Sequence, residues 1–277
     1  MSEISFWEAA FLWRDPLIAA SLGAILCALV GVFVVLKRSA FVGAAVSQAS
    51  SLGVVLALLS PHVVGWGLPP LFCGIAVGSL SAGLFALSGR RARIGVDAAI
   101  ALAYVIAGAG ALLLGTFLTH EYEQVHALLF GDAVAAPIEE IVALSLCFVA
   151  VVVFFLATFP KLVFVSFDPE TAQAMGLRVA RYNAALYFFL GLSIAVSTRA
   201  LGALTVFALT VIPAAGGLLA CRRFPGVITW ALVSALAAAI GGYYFSFVWE
   251  LPTGATIVAT LALTLVVGAL VGALRRS

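Results

Sequence analysis

The chain has 277 residues, of which 64% are hydrophobic and only 9% are charged, and its formal net charge is +2. Charged residues make up roughly a quarter of an ordinary soluble domain, so this composition excludes one. Apolar stretches of about 20 residues are long enough to cross a bilayer as helices, which satisfy their own backbone hydrogen bonds there. The composition therefore predicts an all-α fold, a polytopic integral membrane helix bundle with eight to nine transmembrane helices.

The first 16 residues precede the first long apolar segment. They include Glu3, Glu8, Arg14 and Asp15, which is not the basic beginning of a cleavable signal. Aromatic side chains recur at roughly helical spacing between residues 4 and 14. We expect residues 1–16 to form an amphipathic segment on the outer membrane surface, with a frayed N-terminus as the alternative.

Nine apolar segments follow, separated by breaks that contain proline, glycine or charge. One pair of segments is divided only by Arg199, whereas other breaks contain Lys37-Arg38 or Pro69-Pro70. We expect residues 1–277 to form a single transmembrane domain. The nine segments are 17–36, 41–60, 69–88, 97–118, 139–159, 181–198, 200–220, 227–248 and 254–274.

Lysine and arginine are distributed unevenly between the two sides of such a bundle. With an outer N-terminus and nine spans, 12 of the 14 lysines and arginines fall inside, and only Arg14 and Arg199 fall outside. Because basic loops stay on the cytoplasmic side, we expect an outer N-terminus and a cytoplasmic C-terminus. The inner residues are Lys37, Arg38, Arg90, Arg91, Arg93, Lys161, Arg178, Arg181, Arg222, Arg223, Arg275 and Arg276.

One polar run, residues 166–176, interrupts the apolar series. Asp168 is suited to cap a helix that begins with Pro169, and Gly176 is suited to end that helix about two turns later. We expect residues 166–181 to form a cytoplasmic loop that carries a short docking helix. A docking helix does no chemistry by itself, so we expect the chain to move something with the help of a partner.

The predicted outer loop at 119–137 contains the one dense cluster of candidate metal ligands. Its members are His120, Glu121, Glu123 and His126. Imidazole and carboxylate groups are metal ligands, so the cluster is suited to attract a cation at the outer mouth. Its spacing enforces no coordination geometry, and a solvated loop is the alternative interpretation.

Motifs of catalysis and nucleotide binding are missing from the sequence. It contains no GxxxxGK[ST] phosphate loop, no GxSxG and no HExxH. We therefore expect a chain that is not an enzyme and binds no cofactor or nucleic acid. If transport uses ATP, the hydrolysis belongs to a separate polypeptide.

Four stretches, with Pro252-Thr253-Gly254-Ala255-Thr256 near the end, together extend over nearly the whole chain. They are Lys37-Arg38-Ser39-Ala40-Phe41-Val42-Gly43, His126-Ala127-Leu128-Leu129-Phe130-Gly131, Phe167-Asp168-Pro169-Glu170-Thr171-Ala172 with Gly176, and Gly202-Ala203-Leu204 with Pro213-Ala214-Ala215. In this order they resemble the zinc/manganese/iron class of ABC-transporter permeases.

This resemblance implies the membrane permease subunit of an ATP-driven importer for a divalent metal ion, zinc or manganese. It implies as partners cytoplasmic ABC ATPase subunits, a second and identical permease subunit, and an extracytoplasmic substrate-binding protein. The permease is then a multi-pass protein of the inner (plasma) membrane. The residues that the resemblance implies for coupling to the ATPase are Asp168, Pro169, Glu170, Ala172 and Gly176.

One departure from the family pattern affects the implied substrate pathway. The family's second span usually reads Gly-Asp-Ala-x-Ser-His-Ala, whereas residues 43–49 here place Ala44 at the aspartate and Gln48 at the histidine, with Ser47 retained. Alanine cannot ligate a metal, and a neutral amide is a poor zinc ligand. Our hypothesis is that a metal passes this level through other groups, with His120, Glu123 and His126 as the first candidates.

Two alternatives stay open. The same scaffold imports a metal chelate or another small substrate, which the missing ligands favour. In the other alternative, the chain is a non-transporting membrane subunit that binds an ATPase through residues 168–176.

Overall fold

The computed structural model describes residues 10–88, 95–118, 125, 128–129 and 137–275, and no strand occurs among them. Eight helices in this part are long and apolar enough to cross a membrane, and α3 adds a shorter apolar helix. This confirms the predicted all-α polytopic bundle. The helices are α1 Ala10–Leu36, α2 Phe41–Val64, α3 Pro70–Ser88, α4 Val96–Gly115, α5 Ile138–Phe167, α6 Pro169–Ala174, α7 Val179–Leu201, α8 Ala203–Ala220, α9 Phe224–Trp249 and α10 Thr253–Leu274.

Four helices form the inside of the bundle. In α1, α2, α7 and α8, 61–72% of the most apolar stretch is buried, against 22–33% in α4, α5, α9 and α10. The helix α1 is central, because it packs against α5, α7, α8 and α9. The helices are apolar on nearly all sides, so no periodic pattern of polar residues marks an outward face. Inner and outer helices therefore differ in how much of their surface is buried in the bundle.

A glycine brings α1 and α8 into backbone contact. A Cβ atom at Gly31 would overlap the carbonyl oxygen of Thr210 on α8. Lipid tails are as apolar as the side chains, so helices associate in a bilayer through close packing, which small residues allow. Gly31 therefore sets the distance between the two inner helices.

The division between α7 and α8 differs from the prediction. Helix α7 continues through Arg199 to Leu201, and the chain turns at Gly202. Gly202 has a φ angle of 81°, which favours glycine over residues with a side chain. The prediction of a break at Arg199 was wrong because a charged residue can remain helical where a partner neutralises it.

Helix α5 is longer than the predicted segment 139–159. It continues past Pro160 to Phe167, and at 30 residues it is about 45 Å long, more than the roughly 30 Å of a hydrocarbon core. Leu162 and Val165, beyond the predicted end, are buried in the bundle. Their packing keeps the helix intact beyond the proline, and the helix carries the polar run away from the apolar layer.

The N-terminal segment also differs from the expectation for residues 1–16. Residues 10–16 are the first turns of α1, with Pro16 inside the helix, and form no separate surface helix. The remaining part, 1–9, lies outside the described residues.

One end of the bundle, here called the basic end, collects most of the positive charge. It is the end where α1, α5, α8 and α10 finish and α2, α7 and α9 begin. Arg275 Nη1 donates to the carbonyl oxygen of Ala220 at 2.9 Å and joins two of these helix ends. Eight of the ten lysines and arginines in the described ranges lie there: Lys37, Arg38, Lys161, Arg178, Arg181, Arg222, Arg223 and Arg275.

The Gly31 contact gives a stability prediction. Changing Gly31→Ala should lower the melting temperature of the detergent-solubilised protein by roughly 5 °C, because overpacking costs about 1–3 kcal/mol. The matched control is Gly83→Ala, since a Cβ at Gly83 on α3 meets no atom within 4 Å. Equal melting temperatures for the two variants would contradict the role of Gly31.

Candidate substrate pathway and coupling surface

A short capped helix stands at the basic end. The Thr171 amide donates to Asp168 Oδ1 at 3.0 Å, Pro169 occupies the first turn, and α6 runs from Pro169 to Ala174. Gly176 follows with a φ angle of 84° and reverses the chain toward α7. The predicted short helix is therefore present, with the predicted cap.

Asp168 is set up to remain a carboxylate. Hydrogen bonds from the Thr171 side chain and the Thr171 amide hold the pKa of Asp168 below its ordinary value. Both bonds favour the charged form, which also suits the positive first turn of a helix.

The residues of α6 divide into an inner and an outer set. Ala172 is fully buried, at 0% exposure, and α6 packs against α5 and α7. Ala172 therefore fixes the position of the helix on the bundle. The outer set is exposed and available to a partner: Glu170, Thr171, Gln173, Ala174 and Met175.

A chain of phenylalanine rings connects the base of α6 with the centre of the bundle. Phe167, next to the cap, contacts Phe224 with ring centroids 5.3 Å apart. Phe224 contacts Phe33 on α1 at 5.8 Å, and Phe33 contacts Phe155 on α5 at 5.1 Å. The rings therefore form a continuous packed path from the base of α6 to the central helix.

A cavity of about 400 Å³ lies between α2, α4 and α8. Ser47 and Gln48 line it on α2, Tyr104 and Gly108 line it on α4, and Phe207 lines it on α8. None of the described residues that line it is Asp, Glu, His or Cys. The cavity is therefore mostly apolar, with amide and hydroxyl groups as its polar side chains.

Gln48 has an unsatisfied acceptor at this cavity. Its Oε1 atom is buried and has no hydrogen-bond partner. A Cβ at Gly108 would lie 3.2 Å from that atom, so only a small residue on α4 leaves room for the amide. A buried polar atom without a partner costs free energy, and a bound ligand that donates to it would remove that cost.

The other two predicted pathway residues differ in accessibility. The Ser47 hydroxyl donates to the Ala44 carbonyl oxygen at 2.9 Å, so its hydrogen is already used. Ala44 is only 3% exposed and does not line the cavity. Sequence reasoning missed Tyr104 and Phe207. The single tyrosine in the apolar helix α4 could have indicated Tyr104 as a pathway residue. No feature of the sequence indicated that Phe207 on α8 would line the same cavity.

The predicted outer cluster of His120, Glu123 and His126 lies outside the described residues. Within the described ranges, no group of three or more His, Cys, Asp or Glu residues could hold a metal ion. His62 is described, and it is exposed in the last turn of α2.

An ion pair joins α5 and α7 at the end of the bundle opposite the basic end. Arg199 Nε donates to Glu140 Oε1, and the two side chains are 27% and 8% exposed. Glu140 lies in the first turn of α5 and Arg199 in the last turn of α7, so each charge also complements its own helix dipole. The pair explains why a charged residue is tolerated inside α7.

These features define an integral membrane protein with a short, exposed polar helix at one end and a cavity inside its helix bundle. The profile of the ABC 3 transport family matches residues 10–272, and the chain belongs to this family. It is a membrane component of an ABC transport system, as the sequence motifs predicted.

Three relatives illustrate the range of the family. The chain is 28% identical over 250 residues to the manganese transport system membrane protein MntC of Halalkalibacterium halodurans, covering 88% of this chain and 82% of that protein. It is 27% identical to the chelated iron transport system membrane protein YfeD of Yersinia pestis, covering 92% and 83%. It is 24% identical to the high-affinity zinc uptake system membrane protein ZnuB of Haemophilus influenzae, covering 84% and 87%.

The fold itself has a solved counterpart. The structure of PsaBC from Streptococcus pneumoniae in complex with Fab superposes with a TM-score of 0.82, covers 95% of this chain and 94% of that chain, and is 23% identical. The likeness establishes the arrangement of the helices.

The ion pair gives a prediction that a double-mutant cycle checks. Glu140→Gln and Arg199→Gln should each destabilise the protein by about 2 kcal/mol, because each leaves a partly buried charge without its partner. The double variant should lose less than the sum. Asp15→Asn is the control, since the Arg14–Asp15 pair is exposed and contributes little. Additive losses in melting temperature would show that the two charges do not interact.

Proposed function

We propose that the chain is the permease subunit of an ATP-driven importer for divalent metal ions, with zinc or manganese as the cargo. The observation that carries the proposal is the capped, exposed helix α6 in a chain whose family is an ABC transport family. The names of the relatives, which refer to manganese, chelated iron and zinc, support a metal cargo.

The orientation follows from the charge distribution. We assign the basic end to the cytoplasm, because eight of the ten described lysines and arginines lie there. The N-terminus is then outside and the C-terminus inside the cell's inner (plasma) membrane. Trp66 and Trp249 are both more than 60% exposed near the opposite end, where they suit an outer interfacial belt.

The proposed role of α6 is to bind a cytoplasmic ABC ATPase and to move with the conformational change that ATP hydrolysis drives in it. Asp168, Pro169 and Gly176 define the helix, Ala172 holds it on the bundle, and the exposed Glu170 faces the partner. ATP is bound and hydrolysed by that partner. The phenylalanine chain from Phe167 inward then carries the displacement into the central helix.

The proposed substrate pathway runs along the cavity lined by Ser47 and Gln48. Its rim exposes large apolar side chains, with Phe41 66%, Leu204 46% and Tyr104 41% exposed. We propose that a second copy of the permease covers this face and completes the pathway. An extracytoplasmic binding protein delivers the cargo to the outer end.

A second candidate cargo is a metal chelate, and one observation favours it. The cavity of about 400 Å³ is far larger than a single ion needs, is mostly apolar, and presents the unpartnered Gln48 amide. Such a lining suits an organic ligand shell better than a bare cation. The cargo experiment below separates the two candidates.

The coupling proposal predicts the effect of a charge on α6. Met175→Asp places a carboxylate on a side chain that is 71% exposed, so it should leave the fold intact and disrupt an apolar contact with the ATPase. We expect less co-purified ATPase and roughly tenfold slower uptake, because interface side chains commonly contribute about 1–2 kcal/mol. The measurement is pull-down of co-expressed ATPase together with metal uptake by vesicles.

The control is Leu68→Asp, which adds the same charge to a loop at the opposite end. Normal ATPase binding in Met175→Asp would contradict docking at α6. Normal uptake in vesicles that lack this chain altogether would favour the non-transporting alternative.

The cargo proposal predicts the effect of removing the outer ligands. Changing His120, Glu123 and His126 together to alanine should raise the concentration of free Mn²⁺ or Zn²⁺ for half-maximal uptake by about tenfold or more. The control removes His62 and Glu250, an imidazole and a carboxylate outside that cluster. If the triple variant is present at normal levels and takes up the free ion as well as the unchanged protein does, the result would favour a chelate as the cargo.

A gain-of-function variant adds an independent readout. Ala44→Asp with Gln48→His places an acid and an imidazole four residues apart on one helix face. We expect the purified variant to bind bare Mn²⁺ or Zn²⁺ more tightly than the unchanged protein. Because Ala44 is buried, Gln48→His alone serves as the less disruptive companion.

A further inference from the structure

A second cavity lies at the basic end, between α5 and α7 and beside the turn that follows α6. Its volume is about 410 Å³. One part of its lining is apolar and includes Phe154, Leu177 and Ala185. The other part is lined by the polar or charged residues Arg178, Arg181, Thr158 and Tyr182.

The position of this cavity along the membrane normal follows from the helix rise. Phe154 and Ala185 are each 14 residues from the Glu140–Arg199 pair at the other end of their helices, about 21 Å at 1.5 Å per residue. Thr158 is 18 residues, or about 27 Å, from Glu140. With a hydrocarbon core of about 30 Å, the apolar part lies within the core and the arginines lie at its boundary.

The charge of the cavity is uncompensated. Among the described residues, neither Arg178 nor Arg181 has a carboxylate oxygen within 4.0 Å. Both arginines are exposed at the opening. Phe188, on the same face of α7 as Arg181 and Ala185, is 52% exposed and continues the apolar surface outside the cavity. The site is therefore cationic at one end and apolar at the other.

We propose that this cavity binds the phosphate headgroup of an anionic phospholipid. The guanidinium groups hold the phosphate, since arginine forms charge-assisted hydrogen bonds with phosphate oxygens. One acyl chain lies along Phe154 and Ala185 and leaves toward Phe188. Basic pockets between transmembrane helices are suited to such headgroups, whereas free phosphate would leave the apolar part unused.

The bound lipid would act on the docking helix. Gly176 and Leu177 line the cavity and follow α6 directly, and the Leu177 amide donates to the Ala172 carbonyl oxygen at 3.0 Å. A headgroup at Arg178 would thus stiffen the turn that holds α6. This regulatory role and the assignment to the cytoplasmic leaflet rest on the proposed function, whereas lipid binding does not.

The test is a titration of the full-length, detergent-solubilised protein with phosphatidylglycerol, followed by melting temperature. Phosphatidylcholine, which has no net charge, and inorganic phosphate are titrated in parallel. We expect a saturable rise with phosphatidylglycerol alone. An equal rise with phosphatidylcholine, or with inorganic phosphate at the same concentration, would overturn an anionic lipid as the ligand.

Two kinds of variant test the two parts of the cavity. Arg178→Gln with Arg181→Gln should weaken phosphatidylglycerol binding by about 30-fold, because each arginine contributes to holding an anionic lipid. Arg178→Lys with Arg181→Lys should restore part of it. Ala185→Phe fills the apolar part without changing charge and should also weaken binding.

The matched control is Arg38→Gln with Arg223→Gln, which removes two exposed positive charges from the same end away from the cavity. Equal loss in this control would show that general surface charge is responsible and would overturn the site. Unchanged binding in both the Arg178/Arg181 glutamine variant and Ala185→Phe would overturn it as well. Met175→Ala removes the same exposed side chain without adding a charge beside Gly176, so it should weaken ATPase docking and leave lipid binding unchanged. Failure of the lipid site and failure of ATPase docking thus give different results.

Discussion

The backbone contact between α1 and α8 at Gly31 is the interaction on which the inner bundle depends. A side chain there would overlap the Thr210 carbonyl oxygen, so the two helices approach as closely as their backbones allow. In a bilayer, dispersion contacts of this kind replace the hydrophobic effect as the source of helix association. Helix α1 in turn packs against α5, α7 and α9. Phe33 on α1 contacts Phe224, which contacts Phe167 beside α6, so the position of α6 depends on the position of α1.

Two polar features inside the bundle stand out among the described residues. Glu140 and Arg199 neutralise one another between α5 and α7 and complement two helix ends. Gln48 has a buried oxygen without a partner beside a cavity. An unsatisfied polar atom is costly in an apolar interior, and this cost supports the substrate pathway that we propose along the cavity.

The second span and helix α6 differ in what they offer a partner or a substrate. The exposed outer set on α6, together with the cap and the terminal glycine of this helix, suits the ATPase contact that we propose. The cavity at Gln48, by contrast, offers an amide where an acid and an imidazole would bind a bare ion.

Composition and local chemistry determined much of this protein. The apolar segments predicted the helices, since a bilayer leaves the backbone no other partner, and Asp168, Pro169 and Gly176 predicted α6 and its cap. Tertiary packing decided the rest. It carried α5 past Pro160, kept Arg199 helical by pairing it with Glu140, and turned Ala172 inward. It also brought Tyr104 and Phe207 to Gln48. In helices that are apolar on all sides, no sequence period marks the inner face, so only the contacts between helices determine which residues meet.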